Sequence, residues 1–212
     1  MAGDKSPDPR PRLVTGPRLG RLHDRVLHVL AEVDAGAPAD RALSNAFRRA
    51  RDLGSHERAV AREEVYGLLR GRRIVQDTLQ RAAQSLRKDL DLYDAPIRAR
   101  LELLTHLALE GQSLAELEAR DRYAARRIPK LLEKIVSGRL PPAKHGAVEA
   151  EAIRWSLPTW IFRRLVDGLG AEKASEVSQA LLQRAPVTLR VDPTRADRGA
   201  LIEKLRAAGS SA

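Results

Sequence analysis

The sequence predicts a mainly α-helical protein that ends in the incomplete start of a small α+β subdomain. Apolar residues recur at helical spacing through most of the 212 residues. Hydrophobic residues make up 43% of the chain and aromatic residues only 3%, so the core must be built from Leu, Val, Ile and Ala. Such a core suits packed helices better than packed sheets. The length allows one large domain or two small ones.

The N-terminal end differs from the rest of the chain. Residues 1–19 hold 4 of the 12 prolines among Gly, Asp and Arg, and they show no helix or strand period, which predicts a disordered tail. From Leu22 onward, apolar residues fall on one helical face, and the sequence DAGAP ends this first helix. Residues 39–52 predict a second amphipathic helix, which is closed by DLG.

The stretch SHERAVAREEVYGLLRGRR, residues 55–73, predicts a third helix with Ser55 as its N-cap. Its Gly67 is unusual, because a glycine inside a helix costs about 1 kcal/mol relative to alanine. A fourth helix follows Gly71, and one of the strongest helical patterns of the chain runs through residues 97–108. A short helix, a turn and a longer helix are predicted after it.

The last third of the chain has another character. The sequence RLPPAKHG predicts a linker, so we divide the chain into a helical domain, residues 20–142, and a C-terminal part, residues 143–212. In the C-terminal part Val187, Leu189 and Val191 alternate with polar residues and predict a short strand. Because one strand cannot form a sheet, either its partners come from another chain or the sequence stops before its own fold is complete. The helices predicted in this part are 146–154, 158–169, 171–183 and 197–208.

The charge of the chain indicates a polyanionic partner. The formal net charge is +10, with 38 basic residues against 28 acidic ones. A basic excess of this size points first to nucleic acid. However, 31 of the 38 basic residues are Arg and only 7 are Lys, a bias that a GC-rich coding sequence also produces. Composition therefore leaves RNA binding and genomic bias both open.

Several kinds of chemistry have no support in this sequence. The chain has no cysteine, which removes disulfides, thiolate metal sites and a cysteine nucleophile. Its 5 histidines show no metal-ligand spacing, so we expect no metal site and no catalysis by this chain alone. No apolar run approaches the roughly 20 residues of a membrane span. The N-terminus lacks the apolar middle of a signal peptide, and we expect a cytoplasmic protein without a membrane partner.

Arginine side chains form a stripe along the third helix. At about 100° per residue, Arg62, Tyr66, Arg70 and Arg73 share one sector beside the apolar face. Arginines around an aromatic ring suit phosphate contacts and stacking on an exposed base, whereas a solvated face paired with acids is the alternative. The predicted RNA-binding residues are Arg48, Arg49, Arg62, Tyr66, Arg70, Arg72, Arg73 and Arg190, and Arg51 extends this patch.

Arg58 is predicted to behave differently from these arginines. It projects into the apolar sector of the helix, where Glu57 and Glu64 flank it. This position predicts a buried or half-buried ion pair rather than an RNA contact.

The sequence LGSHERAVAREEVYGLLRGRRIVQDTL resembles the NusB-type helical RNA-binding domain, in the form that precedes the catalytic domain of the RsmB/NOP2/Sun family of ribosomal RNA cytosine-5 methyltransferases. Glu57 stands where the family has Asp. Residues 155–165 and 184–209 resemble the region that follows this domain in the methyltransferases but not in stand-alone NusB, with Asp192 in place of the usual Asn. The resemblance marks as structural residues Arg58, Gly67, Trp155, Pro158 and Trp160.

The resemblance implies a function for the chain and a structural role for Gly67. It implies the RNA-binding N-terminal part of an RsmB-like 16S rRNA (cytosine-C5) methyltransferase, which positions ribosomal RNA for a catalytic domain. In the family two helices approach closely at the glycine that corresponds to Gly67. The family's catalytic domain binds S-adenosylmethionine and uses cysteines, so we expect this chain to be a fragment or a truncated reading frame that binds RNA without methylating it. The separate methyltransferase domain is then an expected partner.

Two other functions remain open from the sequence. The first is a stand-alone NusB-like transcription antitermination factor, which binds nascent ribosomal RNA with a protein partner. Residues 155–209 argue against it, because such a factor has no reason to carry them. The second is a helical protein–protein adaptor whose arginines reflect genomic bias only.

Overall fold

The computed structural model describes residues 17–50, 52–90, 94–183, 188 and 190–208. The described part contains twelve α-helices, which confirms the prediction of a mainly α-helical fold. It contains no strand. The predicted strand residues Val187 and Leu189, the predicted RNA contact Arg51 and most of the predicted tail lie outside the described residues.

Eight helices form the N-terminal bundle. Their bounds are α1 Pro17–Asp34, α2 Ala39–Arg49, α3 Ser55–Arg70, α4 Arg72–Ser85, α5 Ala95–Leu109, α6 Leu114–Arg120, α7 Arg122–Arg127 and α8 Pro129–Val136. Helix α1 begins at Pro17, inside the segment predicted as a tail. Helix α3 ends at Arg70 rather than continuing to Arg73, because Gly71 is both its C-cap and the N-cap of α4.

Helix α5 occupies the centre of the bundle. Every residue from Leu101 to Leu107 is buried, including Glu102, Thr105 and His106. A helix with apolar residues on nearly all sides must be covered on all sides. Helices α1, α3, α4, α6 and α8 all pack against it. As predicted, the surrounding core consists of Leu, Val, Ile and Ala side chains.

Three further helices pack around a core of their own. They are α9 Ala147–Arg154, α10 Thr159–Leu169 and α11 Ala171–Leu182. The buried centre of this group is Phe162 with two alanines, Ala152 and Ala174. Helix α9 also packs against α4. The predicted linker between α8 and α9 contains no helix, and the guanidinium of Arg81 donates two hydrogen bonds to the carbonyl oxygen of Pro141 within it.

The chain divides into two compact units, residues 1–182 and 183–212. The second unit contains α12, Arg198–Ala207, whose N-cap Asp197 accepts a hydrogen bond from the backbone N–H of Ala200. None of the described residues from 188 to 208 is buried. Among the residues that the structure describes, no helix is both long and apolar enough to cross a membrane.

Candidate nucleic-acid interface

A groove between α2 and α3 brings together several residues of the predicted arginine stripe. Buried Ala42 and Ala46 of α2 lie in the main core together with Val60 and Ala61 of α3, so the polar residues beside them face the groove. Its volume is about 410 Å³. The residues that line this α2–α3 groove are Asp40, Leu43, Ser44, Phe47, Arg48, Arg58, Arg62 and Tyr66.

Phe47 lines the groove, but the sequence analysis did not select it as an RNA-binding residue. The Cζ atoms of Arg58 and Arg62 each lie 5.9 Å from the centroid of its ring, within the range of cation–π contacts. Phe47 and Tyr66 are both partly buried against the main core, and both also line the groove. The available signal was an aromatic residue followed by two arginines, in a chain with few aromatic residues.

Arg58 is fixed by the protein backbone. Its Nε donates a hydrogen bond to the carbonyl oxygen of Leu53 at 3.0 Å, and its Nη2 donates to that of Ala50 at 3.3 Å. The sequence predicted a buried or half-buried ion pair at this position; Arg58 is partly buried, and the hydrogen-bond partners of its guanidinium are these two carbonyl oxygens. Glu64, which flanks Arg58 in the sequence, accepts a hydrogen bond from the buried Arg120 of α6.

The other predicted arginines of α2 and α3 are accessible to solvent. Arg48, Arg49 and Arg62 are exposed, and Arg70 is partly exposed one turn beyond Tyr66. Arg48 also donates a hydrogen bond to Oδ1 of Asn45 on its own helix. The structure thus unites Arg48, Arg62 and Tyr66 in the groove and leaves Arg49 and Arg70 outside its lining, at the ends of α2 and α3.

Arg72 and Arg73 bind partners within the protein. Arg72 donates to Glu102 at 2.9 Å and to Asp34, so it ties α4 to α5 and α1. Arg73 donates to the carbonyl oxygen of Leu157 and, at 2.7 Å, to Oγ1 of Thr159. Because Gly71 ends α3, Arg73 does not continue the stripe that a single helix through residue 73 would have formed.

The predicted residues of the C-terminal third have separate environments. The indole Nε1 of Trp155 donates to Glu151 at 3.1 Å, and Pro158 is the N-cap of α10. Trp160 is 68% exposed, so its ring does not pack into a core in the described part of the chain. Arg190 is exposed in the second unit, where it borders a pocket of about 600 Å³ with Asp197 and Arg198 among the other lining residues.

Gly67 lies where α3 approaches α5. A Cβ atom at this position would be 2.8 Å from Nε2 and 3.0 Å from Cε1 of His106. The close approach that the resemblance implied is therefore present. Burial lowers the pKa of His106 below its ordinary value, so this ring is uncharged at neutral pH.

A buried polar network supports the other side of α3. Nδ1 of His23 accepts a hydrogen bond from Nε of Arg120 at 3.0 Å, so its Nε2 carries the proton that is donated to Asp121 at 2.9 Å. Burial acts to raise the pKa of Asp121, but hydrogen bonds from His23, the backbone of Ala124 and Arg100 outweigh it and hold this pKa below its ordinary value. No motif in the sequence predicted this network.

The described residues hold no group of three or more His, Cys, Asp or Glu side chains that could bind a metal ion. The accessible chemistry of the α2–α3 groove is therefore that of guanidinium groups, aromatic rings, one carboxylate and one hydroxyl. One guanidinium group can donate two parallel hydrogen bonds to the oxygens of a phosphate, and aromatic rings stack on bases.

Comparisons with known proteins find a family match for the C-terminal segment and a structure with a similar fold. Residues 157–212 match the family model described as "Methyltr_RsmF/B-like, ferredoxin-like domain". A solved structure described as "Crystal Structure of PH0851" is similar with a TM-score of 0.56 and 16% sequence identity, over 93% of this chain and 46% of that chain. At this identity the likeness shows the fold, and the present chain spans less than half the length of that structure. No curated protein sequence matches this chain.

Proposed function

We propose that this chain, whose residues 157–212 match the family model of the RsmF/B-like ferredoxin-like domain, is the RNA-binding N-terminal part of an RsmB-like 16S rRNA (cytosine-C5) methyltransferase. Its helical bundle binds ribosomal RNA and positions it for a methyltransferase domain outside these 212 residues. Two observations support this proposal. They are the family match of residues 157–212 and the resemblance of residues 20–142 to a NusB-type domain.

The observation that carries the RNA-binding role is the composition of the α2–α3 groove. Arg48 and Arg62 are exposed on its rim, Arg58 forms a fixed wall, and Phe47 and Tyr66 offer ring surfaces between them. A protein surface for single-stranded RNA combines cations for phosphates with rings for bases. The net charge of +10 adds long-range attraction for such a ligand.

The alternative function, a stand-alone NusB-like antitermination factor, has less support. Such a factor has no need for an RsmF/B-like ferredoxin-like domain, and residues 157–212 match one. The protein–protein adaptor explains the arginines as genomic bias, but it gives no reason for two aromatic rings among them in one groove.

The methyl transfer itself is not assigned to residues of this chain. S-Adenosylmethionine would supply the methyl group in the family reaction, and a cysteine would attack the cytosine ring. This chain has no cysteine, so its residues do not fit that nucleophile and we derive no catalytic step from them. Its task in the proposal is to bind and orient the RNA.

The test is binding to a small-subunit ribosomal RNA fragment at several salt concentrations. The test variant changes Arg48, Arg62 and Arg70 to Ala. A matched control changes three exposed arginines elsewhere in the bundle and beyond α8, and so removes the same charge; these are Arg122, Arg126 and Arg139. Each lost phosphate contact lowers the slope of log K against log salt by about 0.7 for a single strand and about 0.9 for a duplex.

We expect the test variant to flatten the salt slope by about two units and the control variant to change it little. Equal effects of the two variants would mean that net charge alone attracts the RNA. Absence of binding by the unchanged protein would reject the proposed function. Circular dichroism of each variant verifies that the helices remain folded.

A further inference from the structure

We propose that the α2–α3 groove is a pocket for one unpaired RNA base that carries an exocyclic amino group. This inference rests on the proposed function and adds to it the chemical class of the ligand that the groove selects. The base stacks on Phe47 and Tyr66, the adjacent phosphates contact Arg48 and Arg62, and the carboxylate of Asp40 accepts a hydrogen bond from the amino group.

The volume and walls of the groove fit a base rather than a bare phosphate chain. The groove has about 410 Å³ of space, and two of the chain's 7 aromatic residues line it from neighbouring helices. A duplex keeps its bases stacked inside, so ring surfaces in a groove are useful only to a base that has left a helix. The groove therefore indicates a single strand, a loop or a bulge as its ligand.

The two arginines beside Phe47 differ in how firmly the protein holds their side chains. Arg58 is held by the carbonyl oxygens of Ala50 and Leu53, so its guanidinium remains against the ring. The side chain of Arg62 is exposed to solvent, and its guanidinium lies over the ring of Phe47. An incoming base can therefore displace the Arg62 guanidinium and stack on the Phe47 ring in its place, which leaves Arg62 free to contact an adjacent phosphate.

Asp40 gives the groove its chemical selectivity. It is an exposed carboxylate in the first turn of α2, on a surface that otherwise presents cations. A carboxylate repels phosphate but accepts hydrogen bonds from base amino groups, as with N4 of cytosine. Uracil offers one N–H between two carbonyl oxygens, which the carboxylate of Asp40 would repel. Cytosine, adenine and guanine are therefore preferred over uracil.

The experiment compares single strands of about ten nucleotides that have the same phosphates but different bases. The strands are all-cytosine, all-uracil and abasic ribose, and fluorescence anisotropy gives the affinity of each. The main variant is Phe47→Leu, which keeps an apolar side chain against the core but removes the ring face. The control is Tyr123→Leu, because Tyr123 is an exposed ring flanked by Arg100 and Arg127 in another groove.

We expect Phe47→Leu to weaken binding of the cytosine strand about tenfold and to leave the abasic strand unchanged. Tyr123→Leu should change neither affinity. The unchanged protein should bind the cytosine strand about fivefold more tightly than the uracil strand, and Asp40→Asn should remove this difference.

Three results would overturn the inference. The first is an equal affinity of Phe47→Leu and unchanged protein for the cytosine strand; the second is an equal loss for the cytosine and abasic strands; the third is an equal affinity of the unchanged protein for the cytosine and uracil strands. Each of these results leaves the proposed function intact as long as the change of Arg48, Arg62 and Arg70 still flattens the salt slope with ribosomal RNA. Failure of the unchanged protein to bind ribosomal RNA rejects both proposals.

Discussion

The five arginines between residues 58 and 73 have different roles because their partners differ. Arg58 binds backbone carbonyls, Arg72 binds two carboxylates, and Arg73 binds the start of α10. Arg62 alone of these lines the groove with an exposed side chain. Helical periodicity predicts the direction of each side chain around the helix axis but not a partner far away in sequence. For this reason the sequence could propose the stripe but could not separate its members.

Gly67 offers a test of the contact between α3 and α5. Changing Gly67 to Ala places a methyl group 2.8 Å from Nε2 of the buried His106, so the ring or the helix must move. We expect the free energy of unfolding to fall by about 1–3 kcal/mol, as for other overpacked cores. Urea denaturation followed by circular dichroism measures this change.

The control for this substitution is Gly168→Ala. Gly168 lies in α10, and a Cβ atom there would meet nothing within 4 Å. Alanine should be neutral or should stabilise by up to about 1 kcal/mol at that position. Gly67→Ala should cost less stability in a His106→Ala protein than in the unchanged one, since the clashing ring is then absent. A Gly67→Ala protein as stable as the unchanged one would refute the close approach.

At the scale of elements, buried charge joins helices that are far apart in sequence. His23 of α1, Glu64 of α3 and Arg120 of α6 form one connected set with Asp121, to which Arg100 of α5 also donates. Removing one member leaves a buried charge without its counter-charge, which is more costly than loss of a surface pair. The network therefore fixes how these helices pack.

Asp121→Asn tests the network and its pH dependence. Asp121 has a pKa below its ordinary value of about 3.9 in the folded protein, so its stabilisation is complete above that value and is lost as pH falls toward the folded pKa. At neutral pH we expect a loss of about 3–5 kcal/mol. The difference from unchanged protein should shrink as pH falls below about 4.

The control for Asp121→Asn is Asp24→Asn on α1, since Asp24 is exposed. Its stability should stay within about 0.5 kcal/mol of the unchanged protein. Urea denaturation at neutral and acidic pH measures both variants. An Asp121→Asn protein that keeps its full stability at neutral pH would show that the network does not hold the helices together.

The elements themselves were largely predictable, whereas the groove was predictable only in part. The apolar residues of 97–108 predicted α5, because the helical spacing of apolar residues can be read from the sequence of a single helix. Gly71 is the C-cap of α3, and the sequence did predict a new helix after it. The arginine stripe was nevertheless extended past Gly71 to Arg73. Phe47 was missed because it belongs to α2, and a groove between helices depends on how they cross. No single-helix pattern contains that information.

For the whole molecule, the distribution of buried residues predicts which part folds by itself. Both hydrophobic cores lie within residues 1–182, whereas the described residues of 183–212 include none that is buried. Burial of apolar surface is the main source of folding free energy. We therefore expect the first unit to hold nearly all the stability of the chain and the whole α2–α3 groove.

A chain ended after Leu182 tests this expectation. Its thermal unfolding, followed by circular dichroism, should be cooperative and should have a midpoint within about 2 °C of the full chain, because a shift of that size corresponds to less than about 1 kcal/mol. A peptide of residues 183–212 should show no cooperative transition, since it has no buried core of its own among its described residues. The shortened chain should also keep the salt slope for ribosomal RNA. A clearly lower midpoint would contradict the assignment of both cores to residues 1–182, and a flatter salt slope would assign part of the RNA contact to the cations of the second unit, among them Arg190.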